Sequence, residues 1–459
     1  MELTRREFIK LSAGAAAVAM FPNYAIGGVK MSELAIKNVN YLKPSGEVEV
    51  ANIFIDGGKI SKIASGGEVQ AQNIIDGRGK FAVPGFINAH THASMTLLRS
   101  YADDLALMDW LNNHIWPIEG KMKADDIRIG AELAAVEMIK GGTTTFVDMY
   151  GPNMEEVAKV VEKSGLRGVL CRGIIGIFDG DEKLATNVEL YKNWHGKADG
   201  RIKIMFGPHA IYTCPPDFLK KIYNEAAKVG AEIHMHMNET LDEINDCMKN
   251  YGKRPFEVVV ETGLLDLGFL AAHCVHLSEN EIEIMAEKKV RVAHNPGSNM
   301  KLASGVSPVT KLFEKNICVG LGTDGASSNN NLDMLEEIRL AAILHKVDKL
   351  DPLAIPALEA LKMGTEYGAQ AVGIENIGKI AEGYKADITL FDMNSAEWLP
   401  CYNPVSLLVY SANSSSVDTV IVDGKILMEK RELKTLDEEK IFAEFKACAD
   451  KLTGMKSKI

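Results

Sequence analysis

Short apolar runs alternate with helical patterns between about residues 85 and 380, and this alternation constrains the fold more than any other feature. After a first run at Val83, the runs with strand character lie at 144–149, 168–174, 202–207, 232–237, 269–272, 290–293 and 318–322. In the stretches between them, for example at 131–139 and 217–228, apolar residues recur three and four positions apart, which is typical of amphipathic helices. Eight alternating units predict an α/β fold, namely a (β/α)8 barrel of the TIM type.

Two regions of β character flank the predicted barrel. Residues 51–55 form a β-type run that ends in an Asp-Gly turn signal, and the runs at 386–392 and 417–422 have the same character. We expect these distant segments to form one small composite β-sandwich. The predicted organisation is a signal segment at 1–28, an N-terminal β-sandwich segment at 32–84, a metal-dependent barrel at 85–382, a C-terminal β-sandwich segment at 383–432 and a C-terminal helix at 433–459.

The overall charge bears on the class of partner. The chain has 51 lysine and arginine residues against 62 aspartate and glutamate residues, which gives a net charge of −11. This balance argues against a broad nucleic-acid surface, which needs clustered basic residues. The seven cysteines are odd in number and show no C-x-x-C spacing, so neither a disulfide framework nor a zinc finger is predicted. The expected partner is a small-molecule substrate.

The N-terminus has the pattern of an export signal. Arg5 and Arg6 precede Phe8 and a mild Ala- and Gly-rich segment that is too short to span a membrane. We expect export by the twin-arginine route to the periplasm, with membrane attachment only if the signal stays uncleaved. The alternative is an amphipathic or disordered tail on a cytoplasmic protein.

Histidines gather at the predicted ends of the strands. Eight of the eleven histidines lie there: His90, His92, His209, His234, His236, His273, His276 and His294. The active site of such a barrel lies at the C-terminal ends of its strands, so these imidazoles should meet in one place. A single histidine is more often structural, but the set as a whole predicts a metal site.

The ligand set follows from where each strand ends. His90 and His92 are two residues apart in extended chain and therefore point to the same side. His236 after strand five and Asp324 after strand eight complete four ligands of mixed nitrogen and oxygen type. Such a set suits one divalent ion, with Zn²⁺ favoured and Fe²⁺ possible. His234, two residues deeper, is interpreted as barrel packing or as support for a ligand.

Three further residues follow the metal ligands. Glu239 stands just past strand five, where a carboxyl group can move a proton between water and substrate. His273 is placed to hydrogen-bond the attacking water or the developing oxyanion, and Asp324 is expected to accept a proton. His276 is expected to be structural and Cys274 to pack as a small hydrophobe.

One absence favours a single metal ion. A two-metal hydrolase of this architecture needs a bridging carboxylated lysine or glutamate near the end of strand four. That end is Phe206-Gly207-Pro208-His209 here, and Lys203 lies at the opposite end of its strand.

Several motifs together resemble the amidohydrolase superfamily. The motifs are residues 84–92, 236–239, 272–276, 294–299 and 322–325, and the resemblance extends over about residues 32–450. Within the superfamily the chain is similar to the 5-methylthioadenosine/S-adenosylhomocysteine deaminases and to the s-triazine hydrolases. The resemblance implies a hydrolase acting on carbon–nitrogen bonds of cyclic amidines, and by analogy a homo-oligomer.

The resemblance also implies substrate contacts. Glu119 in Trp-Pro-Ile-Glu matches a glutamate that binds ribose hydroxyls, and His209 matches a histidine that contacts the nucleoside. Arg172 matches an arginine at the thioether or carboxyl-bearing end of the substrate, and Glu239 also contacts the base. Lys183 stands where a second arginine is expected, and lysine cannot reproduce the bidentate fork of arginine.

We therefore predict a metal-dependent hydrolytic deaminase of an adenosine-type nucleoside. 5-Methylthioadenosine, S-adenosylhomocysteine or adenosine would yield the inosine analogue and ammonia. The alternative is a deaminase or dechlorinase of another heterocycle, such as guanine, a pterin, cytosine or an s-triazine. A more remote alternative is a barrel relative without catalytic activity.

Overall fold

The computed structural model describes residues 31–456, so the predicted signal at 1–28 lies outside the described residues. Its strands are β1 (Ser32–Leu42), β2 (Val48–Asp56), β3 (Lys59–Ala64), β4 (Ala71–Asp76), β5 (Lys80–Pro84), β6 (Phe86–His92), β7 (Thr143–Tyr150), β8 (Arg167–Ile174), β9 (Ile202–Ile204), β10 (Gly207–Pro208), β11 (Ile233–Met237), β12 (Phe269–His273), β13 (Arg291–His294), β14 (Val319–Leu321), β15 (Asp324–Gly325), β16 (Ile388–Asp392), β17 (Val417–Val422), β18 (Lys425–Glu429) and β19 (Glu432–Leu433).

Helices separate most of the barrel strands. The α-helices are Leu107–Asp109, Trp116–Glu119, Ala124–Lys140, Met154–Ser164, Gly180–Trp194, Lys197–Gly200, Pro216–Val229, Leu241–Tyr251, Pro255–Val260, Glu279–Glu287, Pro296–Lys301, Val309–Glu314, Met334–Lys349, Ala357–Met363, Glu366–Val372, Pro404–Tyr410 and Glu438–Thr453. Turns of 3-10 helix span Ala93–Leu98, Leu264–Asp266, Ala396–Trp398 and Ser414–Ser416, and a π-helical turn spans Trp110–Ile115. Among residues 31–456, no helix combines the length and apolarity needed to cross a bilayer.

The strands β6 to β15 form a closed ring of parallel pairs. The pairs run from β6 through β7 to β8, which pairs with both β9 and β10, and from β11 through β12 and β13 to β14. A bridge between Phe206 and Ile233 joins the fourth strand to the fifth, and Asp324 pairs with Thr91 to close the ring. Since β9 with β10, and β14 with β15, are two pieces of one strand each, the ring has eight strands. The predicted (β/α)8 barrel is confirmed.

The barrel elements follow from the apolar pattern. All eight residues of β7 and all five of β11 are buried, because a parallel strand is covered by helices on one face and by the barrel interior on the other. The helix Pro216–Val229 buries Leu219, Ile222 and Ala226 and ends at Gly230, which has a φ of +65° that suits glycine.

The apolar run at Val83 divides into two strands in the structure. β5 belongs to the flanking sheet and β6 is the first strand of the barrel, with Gly85 between them. A Cβ atom at Gly85 would lie 2.1 Å from the Thr144 side chain, so only glycine allows the chain to pass this close. The chain thereby enters the barrel directly from the flanking sheet.

The N- and C-terminal β segments share one sheet. β5 pairs antiparallel with β16, and Val83 lies opposite Thr389. β1 pairs with β2, β4 and β5, since a register shift between Ile36 and Val39 sends its two halves to different partners. The expected β-rich region built from both ends of the chain is thus confirmed, as one branched sheet around an apolar cluster. The exact limits at 84/85 and 382/383 stay a prediction.

Candidate active site

The four predicted metal ligands meet at the C-terminal end of the barrel. His90 and His92 lie near the end of β6, His236 lies in β11, and Asp324 begins β15. The Nε2 atoms of His90 and His92 lie 3.3 and 3.1 Å from Oδ1 of Asp324, and the Nε2 atoms of His92 and His236 are 3.4 Å apart. Three imidazole nitrogens and one carboxylate oxygen therefore face a common point.

The other ring nitrogen of each histidine fixes its tautomer. Nδ1 of His236 lies 2.8 Å from the carbonyl oxygen of His209, and Nδ1 of His92 contacts the carbonyl oxygen of Met149. A carbonyl oxygen only accepts, so both Nδ1 atoms carry the proton. Nε2 is then the atom of each ring that faces the common point. Burial lowers the pKa of His92, but its contacts with Asp324 outweigh this and raise the pKa to about 9, so a cation bound at this point would replace the Nε2 proton of His92.

A second histidine, His234, places the proton of His90 on Nδ1. Nδ1 of His234 lies 3.0 Å from the carbonyl oxygen of Leu270 and so donates to it, which leaves Nε2 of His234 as an acceptor. Nδ1 of His90 lies 2.8 Å from that acceptor and donates to it. His234 therefore supports His90 from beneath, as the sequence interpretation allowed.

The two oxygens of the Asp324 carboxylate have different partners. Its Oδ2 accepts hydrogen bonds from the hydroxyls of Ser298 at 2.6 Å and Ser328 at 2.8 Å, which leaves Oδ1 for the histidines. Burial alone would raise the pKa of Asp324, but the contacts with His90 and His92 hold it well below its usual range. The group therefore faces the histidines as an anion.

These donors fit a divalent metal ion. The buried Nε2 atom of His90 has no hydrogen-bond partner, although a buried ring nitrogen normally finds one. The ligand atoms of His90, His92 and Asp324 lie within 4.8 Å of one another, as do those of His90, His236 and His273. Imidazole nitrogens and an anionic oxygen at this spacing suit Zn²⁺ or a similar ion.

His273 and Glu239 lie beside the four ligands. Nε2 of His273 is 3.8 Å from Oε2 of Glu239, and its Nδ1 is 2.9 Å from Oδ1 of Asn299. Burial raises the pKa of Glu239, while the nearby His273 opposes this effect. A buried carboxyl group next to an imidazole is suited to proton transfer.

Left-handed backbone recurs at these strand ends. The φ angles are +53° for Asn238, +72° for His273, +51° for Cys274 and +64° for Asp324. A non-glycine residue in this region costs about 1–2 kcal/mol, and such strain concentrates at functional sites. It turns the chain sharply after each strand and directs the side chains across the end of the barrel.

A cavity of about 600 Å³ opens above this site. One side of its wall is polar and contains the metal-ligand cluster, and another side is apolar and aromatic. The apolar and aromatic side chains include Met95, Leu107, Trp110, Leu111, Trp116 and Met122. A planar ring compound of nucleoside size fits a cavity of this volume and mixed polarity.

Each residue predicted to contact substrate lines this cavity: Glu119, Arg172, His209 and Glu239, with Lys183 also present. The Oε1 atom of Glu119 is buried and has no hydrogen-bond partner. Burial raises the pKa of Glu119, and a hydrogen bond from Tyr150 opposes this. Glu119 is thus an acceptor held in the wall rather than an exposed helix residue.

Two basic side chains in the wall donate to carbonyl oxygens. Nη1 of Arg172 donates to the carbonyl of Gly173 at 3.1 Å, and Nζ of Lys183 donates to the carbonyl of Phe178 at 2.6 Å. Burial lowers the pKa of Arg172 to about 10, and it also lowers the pKa of Lys183. Arg172 retains its positive charge beside the cavity and can bind an anionic or electron-rich end of a ligand.

The remaining sequence interpretations concern residues outside the cavity. His276 donates from Nε2 to the carbonyl of Ser304 at 2.7 Å and is structural, and Cys274 is buried. Lys203 pairs with Glu232 at the opposite end of the barrel, as expected.

Sequence reasoning missed two buried carboxylates near the site. Asp148 accepts the backbone N–H of Ala93 at 2.7 Å, and burial raises its pKa to about 6. Glu243 accepts the backbone N–H groups of Asn238 and Glu239. An aspartate inside the apolar run at 144–149 was a visible signal for the first, and the Thr240-x-x-Glu243 spacing was one for the second.

Comparison with known proteins gives two kinds of match. The profile of the amidohydrolase family matches residues 81–427. A protein of Pelotomaculum thermopropionicum, named 5-methylthioadenosine/S-adenosylhomocysteine deaminase, is 51% identical over 406 residues, which cover 87% of this chain and 94% of that protein.

Two solved structures share the fold along most of the chain. A zinc-bound adenosine deaminase from Xanthomonas campestris superposes with a TM-score of 0.88 at 33% identity, covering 92% of this chain and 99% of that one. Atrazine chlorohydrolase from Arthrobacter aurescens TC1, complexed with zinc, gives 0.85 at 25% identity, covering 91% and 100%.

Proposed function

The chain belongs to the amidohydrolase family, and on that premise we propose that it is a metal-dependent hydrolytic deaminase of an adenosine-type nucleoside. The reaction consumes water and an aminopurine nucleoside and releases ammonia and the inosine analogue. The observation that carries the proposal is the convergence of three imidazoles and Asp324 beneath a cavity that Glu119 and Glu239 line.

His90, His92, His236 and Asp324 would hold one divalent cation, and we propose zinc. The zinc named in the structures of two relatives supports this choice. When bound, such a cation supplies Lewis-acid chemistry, which lowers the pKa of water to roughly 7 and provides a nucleophile at neutral pH.

The residues around the site divide the proton transfers between them. Asp324 accepts the proton of the attacking water, and Glu239 delivers a proton to the purine ring nitrogen. His273 hydrogen-bonds the oxygen that adds to C6, since its imidazole lies 3.8 Å from the Glu239 carboxylate and at the same cavity wall. Asp324 then passes its proton to the departing amino group, which leaves as ammonia, and Glu239 takes back a proton from the C6 hydroxyl, which becomes the carbonyl of the inosine analogue.

The cavity wall accounts for the nucleoside portion of the substrate. Glu119 has a buried oxygen without a partner, and we propose that it accepts hydrogen bonds from ribose hydroxyls. His209 lies next to the base, with its Nδ1 held 3.0 Å from the Thr213 hydroxyl. Arg172 and Lys183 face the 5′ end, where a thioether or a carboxylate-bearing tail would extend.

An ammonia-release screen tests this proposal. The zinc-loaded protein is incubated with adenosine, 5-methylthioadenosine, S-adenosylhomocysteine, guanine, cytosine and melamine. We expect turnover of at least one adenosine compound and a large loss of that turnover in Glu119→Gln. Any turnover of a free base should be the same in Glu119→Gln as in wild type, because a free base carries no ribose. Turnover of a free base alone would contradict the nucleoside assignment.

We also propose that residues 1–28 direct export by the twin-arginine route and that the protein is a homo-oligomer. The sequence pattern around Arg5 and Arg6 supports the export proposal. Replacing both arginines with lysine should move the protein from the periplasmic to the cytoplasmic fraction. Light scattering of the purified protein tests the oligomeric state.

A further inference from the structure

Glu243 is a buried carboxylate that belongs to neither the metal cluster nor the cavity wall. It lies in the first turn of the helix Leu241–Tyr251, and only 4% of its surface is exposed. Its Oε2 accepts the backbone N–H of Glu239 at 2.7 Å, and its Oε1 accepts the backbone N–H of Asn238 at 3.0 Å. One side chain therefore holds two consecutive peptide groups.

This arrangement differs from ordinary helix capping. The N-cap residue is Thr240, whose hydroxyl accepts the N–H of Glu243. In a capping box the glutamate would bond back to the N–H of the N-cap residue itself. Here it reaches one and two residues farther upstream, to the segment that carries the Glu239 side chain.

The held segment is strained and therefore needs support. Asn238 has a φ of +53°, a conformation that costs an L-residue free energy unless its surroundings favour it. Its carbonyl oxygen accepts the N–H groups of Val275 at 3.0 Å and His276 at 2.9 Å, and its side chain donates to Glu281 at 2.9 Å. These bonds tie the segment to the chain that follows strand six. Within residues 31–456, the acceptor for the peptide N–H of Glu239 itself is Glu243.

We propose that Glu243 is a positioning residue that aims the Glu239 carboxyl into the cavity. Burial raises the pKa of Glu243 to about 8, while the two backbone N–H groups that donate to it oppose this and favour the charged form. Hydrogen bonds that N–H groups donate to a carboxylate are charge-assisted and stronger than neutral ones. Without them the peptide of Glu239 can rotate, and the carboxyl group moves away from the substrate nitrogen. The inference rests on the proposed proton-transfer role of Glu239.

Glu243→Gln is the main test, because the amide has the same shape but can accept only one of the two bonds and turns its NH2 group towards the other N–H. Misplacement of a reacting group by about 1 Å costs roughly 100-fold in rate, and we expect a fall in kcat of about that size. KM should change less than about threefold, because a change confined to the chemical step leaves ground-state binding unaltered. The metal content should not change, since no ligand is altered.

Thr240→Ala is the matched control. It removes the N-cap of the same helix but leaves both side-chain hydrogen bonds of Glu243 in place. The variant therefore lowers the stability of this helix without altering the Glu243 carboxyl group. We expect kcat to stay within about twofold of wild type. An equal loss of kcat in both variants would mean that Glu243 acts only through helix stability, and would overturn the proposal.

A double variant tests whether Glu243 acts through Glu239. If it does, Glu239→Gln combined with Glu243→Gln should be no slower than Glu239→Gln alone, because nothing remains to be positioned. A further loss of about 100-fold in the double variant would show an independent effect and contradict the proposal.

Hydrogen exchange gives a measurement that does not depend on the substrate. In wild type the amides of residues 238 and 239 should be protected, and in Glu243→Gln at least one should exchange about tenfold faster or more, while Thr240→Ala changes them less. Unchanged exchange would overturn the positioning claim. If no adenosine compound is turned over but exchange responds as expected, the proposed substrate fails and the positioning of Glu239 stands.

Discussion

The two ends of the barrel handle buried charge in opposite ways. At the N-terminal end, the guanidinium of Arg167 donates to Asp387 at 3.0 and 3.1 Å and to Asp423 at 2.9 Å, and it is only 1% exposed. Lys203 and Arg291 both pair with Glu232 at the same end. Each of these three cations meets an opposite charge from the chain itself.

At the C-terminal end, Asp324 faces imidazoles instead of a permanent cation. Among residues 31–456, Asp324 contacts His90 and His92 and pairs with no lysine or arginine, and Oε2 of Glu239 lies 3.8 Å from Nε2 of His273. Because an imidazole must be unprotonated to bind a metal ion, these ligands can exchange a proton for a bound cation. One end therefore stabilises the fold, and the other is prepared for a cation and a substrate.

The largest expected effect comes from Asp324→Asn at the C-terminal end. It removes the anionic ligand and the proton acceptor together, so we expect kcat/KM to fall by roughly 10⁴-fold or more and metal content to fall with it. Kinetic assays and metal analysis of the same sample check this. Asp387→Asn is the matched control, and it should retain metal and activity per folded molecule while losing stability. Retained metal in Asp324→Asn would remove it from the ligand set.

Glu239→Gln should have the next largest effect on activity. Loss of general acid–base catalysis costs roughly 10²–10⁴-fold, and we expect kcat to fall within this range while metal content remains that of wild type. Metal analysis next to steady-state kinetics separates the two roles. Metal loss equal to that of Asp324→Asn would mean that Glu239 is a ligand and not a proton carrier.

Arg167→Met should affect stability instead of chemistry. It leaves Asp387 without a cationic partner, while Asp423 keeps the contact with Lys385 at 3.6 Å. Breaking a buried pair in this way costs about 3–5 kcal/mol. Urea unfolding should show a loss of that order, with kcat of the remaining folded protein unchanged. A comparable loss of kcat at full folding would show that the two ends are not separate in function.

His234→Phe should have the smallest effect of the four. It removes the acceptor of the His90 Nδ1 proton, and loss of such a supporting contact weakens metal binding by about 10–100-fold. Competition with a chelator measures the affinity. His294→Phe serves as the control, because this buried histidine faces His345 at 3.2 Å and supports no ligand. Equal weakening in both variants would point to general loosening of the barrel.

The contrast between the two ends also explains what could be predicted from sequence. The alternation of strands and helices, and the rule that parallel strands present their C-terminal ends together, brought His90, His236 and Asp324 to one place. The fold and the ligand cluster could therefore be predicted from the sequence. The Arg167–Asp387–Asp423 network was not, because its members are far apart in sequence and show no local pattern.

Finer details of the site could not be predicted from the sequence either. The tautomers of His90 and His92 depend on groups of other strands, and the bonds of Glu243 depend on a left-handed turn at Asn238. Neither leaves a periodic trace in the sequence. The single branched β-sheet likewise depends on a local register shift in β1.

Metal titration of the metal-free protein tests the central claim most directly. Zinc is added in steps, and bound metal and ammonia release from the best adenosine compound of the screen are measured on the same samples. We expect activity to rise in proportion to bound zinc and to reach its plateau at one ion per chain. Full activity without bound metal, or a plateau reached only at two ions per chain, would contradict a single-metal site.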